Sequence, residues 1–483
     1  MSYKRHLAWM SLSQACFFAV QFVGSVIVAR LLTPYDFGVY AIALAITGIL
    51  STLQAFGLNG FIVREQELGP GITRSVFTIN LLLSFILAGL IAGLSPLGGR
   101  VMHEDGVRRV MLLLAILPVL GALEFLPATH LERAANFKAI ALVNMGRIVA
   151  AQLVTVGLAF KGCSFMSLAF GQIAASIFSA AAYTAIGRRH VSFSLGLSDW
   201  RRVLSFGLNM LAISGVNAIA ARLSEAILGR WIGLGALGLY ARASNLNNMV
   251  WDNIHMVIGR VVFIDLAAQT RSGASLRATY LTLVEVLTAL LWPAFAGLAI
   301  VSGPFILLIY GPRWVAAAHP LAMLSVAAML LVAISMTWEL FVVSGETTQQ
   351  ARLEVLRTGV GLVMFAVGCL FGLTTAAAGR IGEAAFSIWL YRPHLDRMTQ
   401  THTRDFAAIY GRSAALTAMT VAPAGVVMLL HGGSEHTPLL WLAPAIGLGG
   451  LIWILALFLM RHPLAMEALR LAGARLPWVM PQR

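Results

Sequence analysis

Charge is scarce in this sequence. Only 11% of its 483 residues are Asp, Glu, Lys or Arg, and 59% are hydrophobic, with a mean hydropathy of +0.83; a soluble globular domain carries about 25% charged residues. A water-soluble fold is excluded on that ground. Lysine is nearly missing: Lys4, Lys138 and Lys161 are the three, and none follows a glycine. There is thus no G-x-x-x-x-G-K phosphate loop, which excludes ATP hydrolysis at a Walker site. Cys16, Cys163 and Cys369 form no C-x-x-C pair, and His130, His190, His431 and His436 lack metal-ligand spacing. Neither a disulfide framework nor a zinc site is indicated, and no cofactor is expected. No stretch alternates apolar and polar residues over ten positions, as an outer-membrane barrel would require.

Long apolar runs are what the sequence has instead. A membrane-crossing helix takes about 20 residues, and apolar stretches of suitable length lie near 10–32, 38–63, 75–97, 107–128, 140–160, 164–186, 206–229, 236–260, 280–303, 316–343, 354–373, 375–392, 409–430 and 438–460. The expected fold class is an all-α integral membrane protein with about fourteen transmembrane helices. The first run follows Lys4, Arg5 and His6 and far exceeds the apolar core of a signal peptide, so it reads as an uncleaved first helix. Lys and Arg outnumber Asp and Glu by 34 to 20. Most of these cations, including Arg188, Arg189, Arg201, Arg202, Arg392, Arg397, Arg404 and Arg412, fall on even-numbered connections or at the two termini. Cationic loops stay cytoplasmic, which places both termini inside and removes the need for a nucleic-acid partner.

The chain also repeats itself. Residues 27–41 read IVARLLTPYDFGVYA and residues 227–241 read ILGRWIGLGALGLYA, with Arg30, Gly38, Tyr40 and Ala41 opposite Arg230, Gly238, Tyr240 and Ala241. The expected organisation is two pseudo-symmetric six-helix bundles, 1–195 and 196–400, followed by a helix pair and cytoplasmic tail at 401–483. Parallel repeats of this kind place a substrate path at their interface and let one bundle rock against the other. Gly233, Gly235 and Gly238 match G-x-G-x-x-G, but no βαβ unit surrounds them, and the spacing reads as a tight turn between helices.

Polar residues inside spans are the functional candidates, because a central Arg or Asp costs about 2.5–3.5 kcal/mol and each large apolar residue returns only about 0.3–0.6. Arg222 and Glu225 share one face of the seventh helix, either as a structural ion pair or as part of a wet site. On the eighth helix Arg242, Asn245, Asn248, Asp252 and His255 form a stripe at helical spacing. That stripe suits a helix lining water, with Asp252 and His255 as a proton-handling couple or as residues of the cytoplasmic end. Arg147 lies within the fifth helix near Asn144 and Gln152, and Arg380 and Glu383 repeat the three-residue spacing in the twelfth. Glu124, Glu285 and Glu339 read as solvated helix ends, and Gly89/Gly93 and Gly368/Gly372 as close-packing pairs.

The runs VARLLTPYDFGVYAIALAITGIL, LQAFGLNGFIVRE, ILGRWIGLGALGLYARASNL and LIYGPRW resemble the polysaccharide transport family of oligosaccharide flippases. The lipid II flippase and the multidrug and toxin extrusion antiporters belong to the same superfamily. The resemblance implies a bacterial inner-membrane protein that moves an undecaprenyl-diphosphate-linked repeat unit from the cytoplasmic to the periplasmic leaflet for exopolysaccharide, capsule or O-antigen synthesis. It also implies a cationic cavity lined by the first, second, seventh and eighth helices, and partners in the polysaccharide polymerase and chain-length machinery. Joined to that resemblance, the intramembrane residues take roles. Arg147, Arg222 and Arg242 are anion contacts, Asn245 and Asn248 partners of sugar hydroxyls, and Asp252, His255 and Glu225 coupling groups, with a proton or sodium gradient left open as the driving force. Two alternatives stand beside it: a cation-coupled small-molecule antiporter of the multidrug type, and a membrane polysaccharide polymerase or ligase. The intramembrane arginines disfavour the first, and the short outer connections disfavour the second.

Overall fold

The computed structural model describes residues 19–52, 69–134, 136–187, 194–198, 200–201, 222–272, 275–432 and 437–466, among which there is no strand. The chain divides into two compact units, Met1–Ala241 and Arg242–Arg483.

In the first unit α1 (Ala19–Leu31) and α2 (Pro34–Thr52) meet across a bend of 119°. Local chemistry sets that turn. The Asp36 carboxylate accepts hydrogen bonds from the Thr33 backbone N–H at 2.8 Å and from its hydroxyl at 2.7 Å, while Pro34 begins the helix with a fixed φ. Ser164 also donates to Asp36, tying in a distant connection. Helix α3 (Pro70–Met102) ends at His103, which adopts a left-handed φ of 53°. Helices α4 (Asp105–Leu114) and α5 (Leu117–Arg133) are separated by a short break and together make one apolar span. Helices α6 (Phe137–Phe160) and α7 (Met166–Gly187) pack as a hairpin. Their contact is close at Gly171, where a Cβ would stand 2.9 Å from the Ala151 carbonyl oxygen and collide with Thr155. Residues 222–231 form α8.

Helix α9 (Leu234–Ser272) leads into the second unit. There follow α10 (Arg277–Ile300), α11 (Ser302–Tyr310), a 3-10 turn (Pro312–Ala317), α12 (Ala318–Val332), α13 (Thr337–Val343), α14 (Thr347–Cys369), α15 (Leu373–Thr399), α16 (Thr403–Leu430) and α17 (Leu439–Leu459). Lipid tails are as apolar as leucine, so close packing and interhelical hydrogen bonds hold such a bundle. Leu287, Leu291, Phe295 and Val332 pack α10 on α12. The Trp292 indole donates to the Met329 carbonyl at 2.9 Å, Thr288 and Ser413 hydroxyls pair at 2.8 Å, and the Trp453 indole donates to the Ala289 carbonyl at 3.0 Å. The outer faces are apolar, as at Leu153, Leu429, Leu430 and Leu440.

Among the described residues eight helices are long and apolar enough to cross a membrane, or nine with the bent α1–α2 pair taken as one span. The expected number of fourteen is not fixed by these. Helices α9, α14 and α15, at 39, 23 and 27 residues, have the length for a crossing but carry many polar residues, and parts of the expected spans at 10–32, 38–63 and 206–229 lie outside the described residues.

One pair of glycines departs from its reading. Among the described residues a Cβ at Gly89 or Gly93 would meet nothing within 4 Å, so that pair closes no helix contact there. The repeated motif does. A Cβ at Gly38 would land on the Leu234 carbonyl oxygen, and one at Gly238 on the Pro34 carbonyl oxygen. The two motif copies therefore sit on each other reciprocally, backbone against backbone.

Candidate functional site

Helix α8 carries Arg222 and Glu225 one turn apart, and their side chains meet at 3.0 Å. Both are partly exposed, at 34% and 26%. The guanidinium lies across α2 at Gly48, where a Cβ would come within 2.8 Å of the arginine Nε. A bare helix surface at residue 48 is thus what gives the charge its seat.

Helix α9 presents the polar stripe. Asn245, Asn248 and Asp252 are exposed, whereas Ala243, Leu246 and Met249 between them are buried. The spacing of three and four residues puts the exposed groups on one side of the helix. The side chain of His255 lies outside the described residues. Arg242 begins the stripe but is only 8% exposed, and its guanidinium stacks over the Tyr310 and Trp314 rings at 4.8 and 6.0 Å. Those rings belong to the LIYGPRW segment, which turns sharply at Gly311 with φ of 90°. Cation–π contact and burial fix this arginine as the anchor between that segment and α9.

Arg147, ten residues into α6 and ~15 Å along it, stands 3.9 Å from the Glu124 carboxylate of α5. Ser179 of α7 donates to the same carboxylate. Glu124 is thus not a solvated helix end but the centre of a polar cluster joining three helices. Glu285 differs from expectation in the same way, being 15% exposed and close to Arg412 and His462 at 3.8 and 3.9 Å. Glu339 is likewise buried.

One cluster escaped the sequence reading in part. Arg357, also ten residues into its helix, donates to Glu354 at 3.1 Å and to Glu383 of α15 at 3.0 Å. Arg380 donates to Glu383 at 2.6 Å, and the Tyr391 hydroxyl to Glu354 at 2.6 Å. The i, i+3 spacing of Glu354 and Arg357 matches that of Arg380 and Glu383, so the pattern was present in the sequence; its cross-helix closure was not. Two acids and two bases cancel, making this a neutral brace rather than an anion trap. No group of three or more His, Cys, Asp or Glu able to hold a metal occurs among the described residues.

A family model described as "Polysaccharide biosynthesis protein" matches residues 27–319, more than half of the chain. The chain belongs to that family. This member is 23% identical over 326 residues to the lipopolysaccharide biosynthesis protein WzxC of Escherichia coli, covering 67% of this chain and 66% of that one. It is 24% identical over 330 residues to the succinoglycan biosynthesis transport protein ExoT of Rhizobium meliloti, covering 68% and 66%. The chain thus spans about two thirds of the length of these relatives. Its fold matches that of the lipid II flippase MurJ in an inward closed conformation, with a TM-score of 0.77 at 13% identity over 94% of this chain and 99% of that one. This family member is a multi-pass membrane protein with the fold of that solved flippase.

Proposed function

We propose that this chain carries an undecaprenyl-diphosphate-linked oligosaccharide repeat unit from the cytoplasmic to the periplasmic leaflet of a bacterial inner membrane, by alternating access. The observation that carries the reading is the exposed face of α9. Asn245, Asn248 and Asp252 are turned out while the apolar residues of the same turns are turned in. A membrane-length helix oriented that way faces water, because amides and carboxylates in contact with acyl chains are too costly. The sugar hydroxyls find partners in Asn245 and Asn248.

The diphosphate finds guanidinium groups already paired with carboxylates. Arg222 with Glu225 and Arg147 with Glu124 are partly exposed pairs, and a phosphate that forms two parallel hydrogen bonds to arginine competes with a carboxylate for it. The two acids hold the arginines in position until an anion replaces them. For Arg242 the same contact requires the Tyr310 and Trp314 rings to move aside. Asp252, His255 and Glu225 are the groups proposed to take a proton or sodium ion on the return step. The prenyl tail remains in lipid, so the protein shelters only the polar head. A polymerase and its chain-length machinery would receive the delivered unit.

The test uses the purified protein in sealed vesicles with a fluorescent undecaprenyl-diphosphate saccharide in one leaflet. Wild type is expected to equilibrate the probe between leaflets, and Arg147→Gln combined with Arg222→Gln to slow this at least about tenfold, the equivalent of ~1.4 kcal/mol. Leaflet exchange no faster than in protein-free vesicles would defeat the transport reading.

A further inference from the structure

The connection between α3 and α4 encloses a concavity of about 700 Å³ lined by Pro96, Gly99, Arg100, His103, Glu104, Asp105 and Arg108. Its size falls within the range of about 300–1,000 Å³ of small-molecule sites. It is formed wholly within the first unit and shares no lining residue with the polar stripe of α9.

Three observations give this pocket a chemistry. The first is donor and acceptor balance. Arg100, His103, Asp105 and Arg108 line it, and among the described residues none of the four has a side-chain hydrogen bond or ion pair. Two guanidinium groups, an imidazole and a carboxylate are left to serve a ligand, and the lining carries as many acids as arginines. Such a set suits neutral, hydroxyl-rich molecules, in which neighbouring hydroxyls both donate and accept, better than a bare anion. The second is pre-organisation. Glu104 is fixed by the Gly106 backbone N–H at 3.0 Å, which it caps, and by the Tyr35 hydroxyl, which donates to its other oxygen. The third is an aromatic platform. Tyr35 stands beside the lining rather than in it; the residue is 43% exposed while its hydroxyl is held at the pocket by Glu104. An exposed aromatic residue with a tethered hydroxyl offers apolar contact to the C–H face of a sugar, next to groups that bind its hydroxyls.

We propose that this pocket binds a saccharide, as a second glycan site at the membrane end where α1 meets α2. Taken with the transport reading, on which its role rests, the site holds the glycan portion of the translocated unit at the extracytoplasmic surface once the α9 stripe has released it. Gly99 permits the site: a Cβ there would come within 3.2 Å of the Arg108 Cβ, so the glycine lets α3 and α4 converge and set Arg100 and Arg108 on one concavity.

The experiment uses saturation-transfer NMR on the full-length protein in nanodiscs. The probes are triacetylchitotriose, maltotriose and the oligosaccharide released by mild acid from the host's own lipid-linked intermediates, with inorganic phosphate as a separate arm. Wild type is expected to show transfer to the sugar protons of at least one of the three. Tyr35→Ala, and Arg100→Ala combined with Arg108→Ala, are expected to weaken that binding at least about tenfold. These side chains are exposed, so the variants retain the elution volume and melting temperature of wild type. No transfer to any of the three saccharides, or transfer unchanged in both variants, overturns the site. Complete displacement of a neutral saccharide by phosphate also overturns it, assigning the pocket to anions instead. The vesicle assay run on the same proteins separates the two proposals: leaflet exchange without saccharide binding leaves the transport reading intact, and saccharide binding without leaflet exchange leaves the pocket intact.

Discussion

A guanidinium within a membrane needs a partner, and the three arginines marked by their position find three kinds. Arg222 takes a carboxylate on its own helix, Arg147 a carboxylate on a neighbouring helix, and Arg242 two aromatic rings. The first was legible because residues three apart share a helix face. The second was not, because Glu124 and Arg147 lie on different helices and nothing local records their approach. The third was hidden by its own regularity: Arg242 sits in phase with Asn245 and Asn248, but a side chain as long as arginine can turn away from its stripe toward rings some 70 residues on. The glycines of the repeated motif make the clearest forecast at this scale. Gly38→Ala and Gly238→Ala each place a methyl group on a carbonyl oxygen of the other copy. Both should cost several kcal/mol, at or above the ~1–3 kcal/mol of ordinary overpacking, and lower folded yield on size-exclusion chromatography to a similar degree. Gly89→Ala, with open space around it, should leave the yield at the wild-type level.

Helices α14 and α15 show what an ion network contributes to an element. Arg357 links two acids across the hairpin, and each member is at most 24% exposed. Removing one partner of a buried pair leaves a charge without compensation, which costs about 3–5 kcal/mol. Arg357→Gln should therefore lower the melting temperature markedly, whereas removing both charges of a pair, as in Arg380→Met with Glu383→Leu, should cost less than the sum of the single changes. A different sensitivity lies just beyond α17. His462 is 4% exposed there, with Glu285 and Arg412 as its charged neighbours. Burial first, and the Arg412 charge second, lower its pKa from the ordinary value of 6.5. The unfolded chain therefore binds a proton more readily than the folded one. Stability from this group is complete above about pH 6.5 and is lost as pH falls through the lower folded value. Wild type should melt at a lower temperature at about pH 5.5 than at about pH 7.5, and His462→Asn should flatten that difference.

For the whole molecule, composition disclosed the class and the apolar runs disclosed most of the helices, because a lipid environment imposes long apolar stretches that no soluble fold tolerates. The number so read, about fourteen, is not fixed by the described residues. The polar helices α9, α14 and α15 carry charged and amide side chains on membrane-length elements, and hydropathy is least informative there. Orientation rests on the distribution of Lys and Arg. In a chain whose Cys16, Cys163 and Cys369 are replaced by alanine, a thiol introduced as His103→Cys should react with an impermeant reagent added outside spheroplasts. One introduced as Gln400→Cys should react only after the membrane is opened. Labelling of both from one side would reverse or break the assignment.

The mutual seating of Gly38 on Leu234 and of Gly238 on Pro34 has the form of an isologous contact, in which one patch meets its own duplicate. A substitution in one copy cannot be relieved from the other: each added methyl group meets main-chain atoms, which no exchange of side chain can trim, so both positions are held to glycine independently.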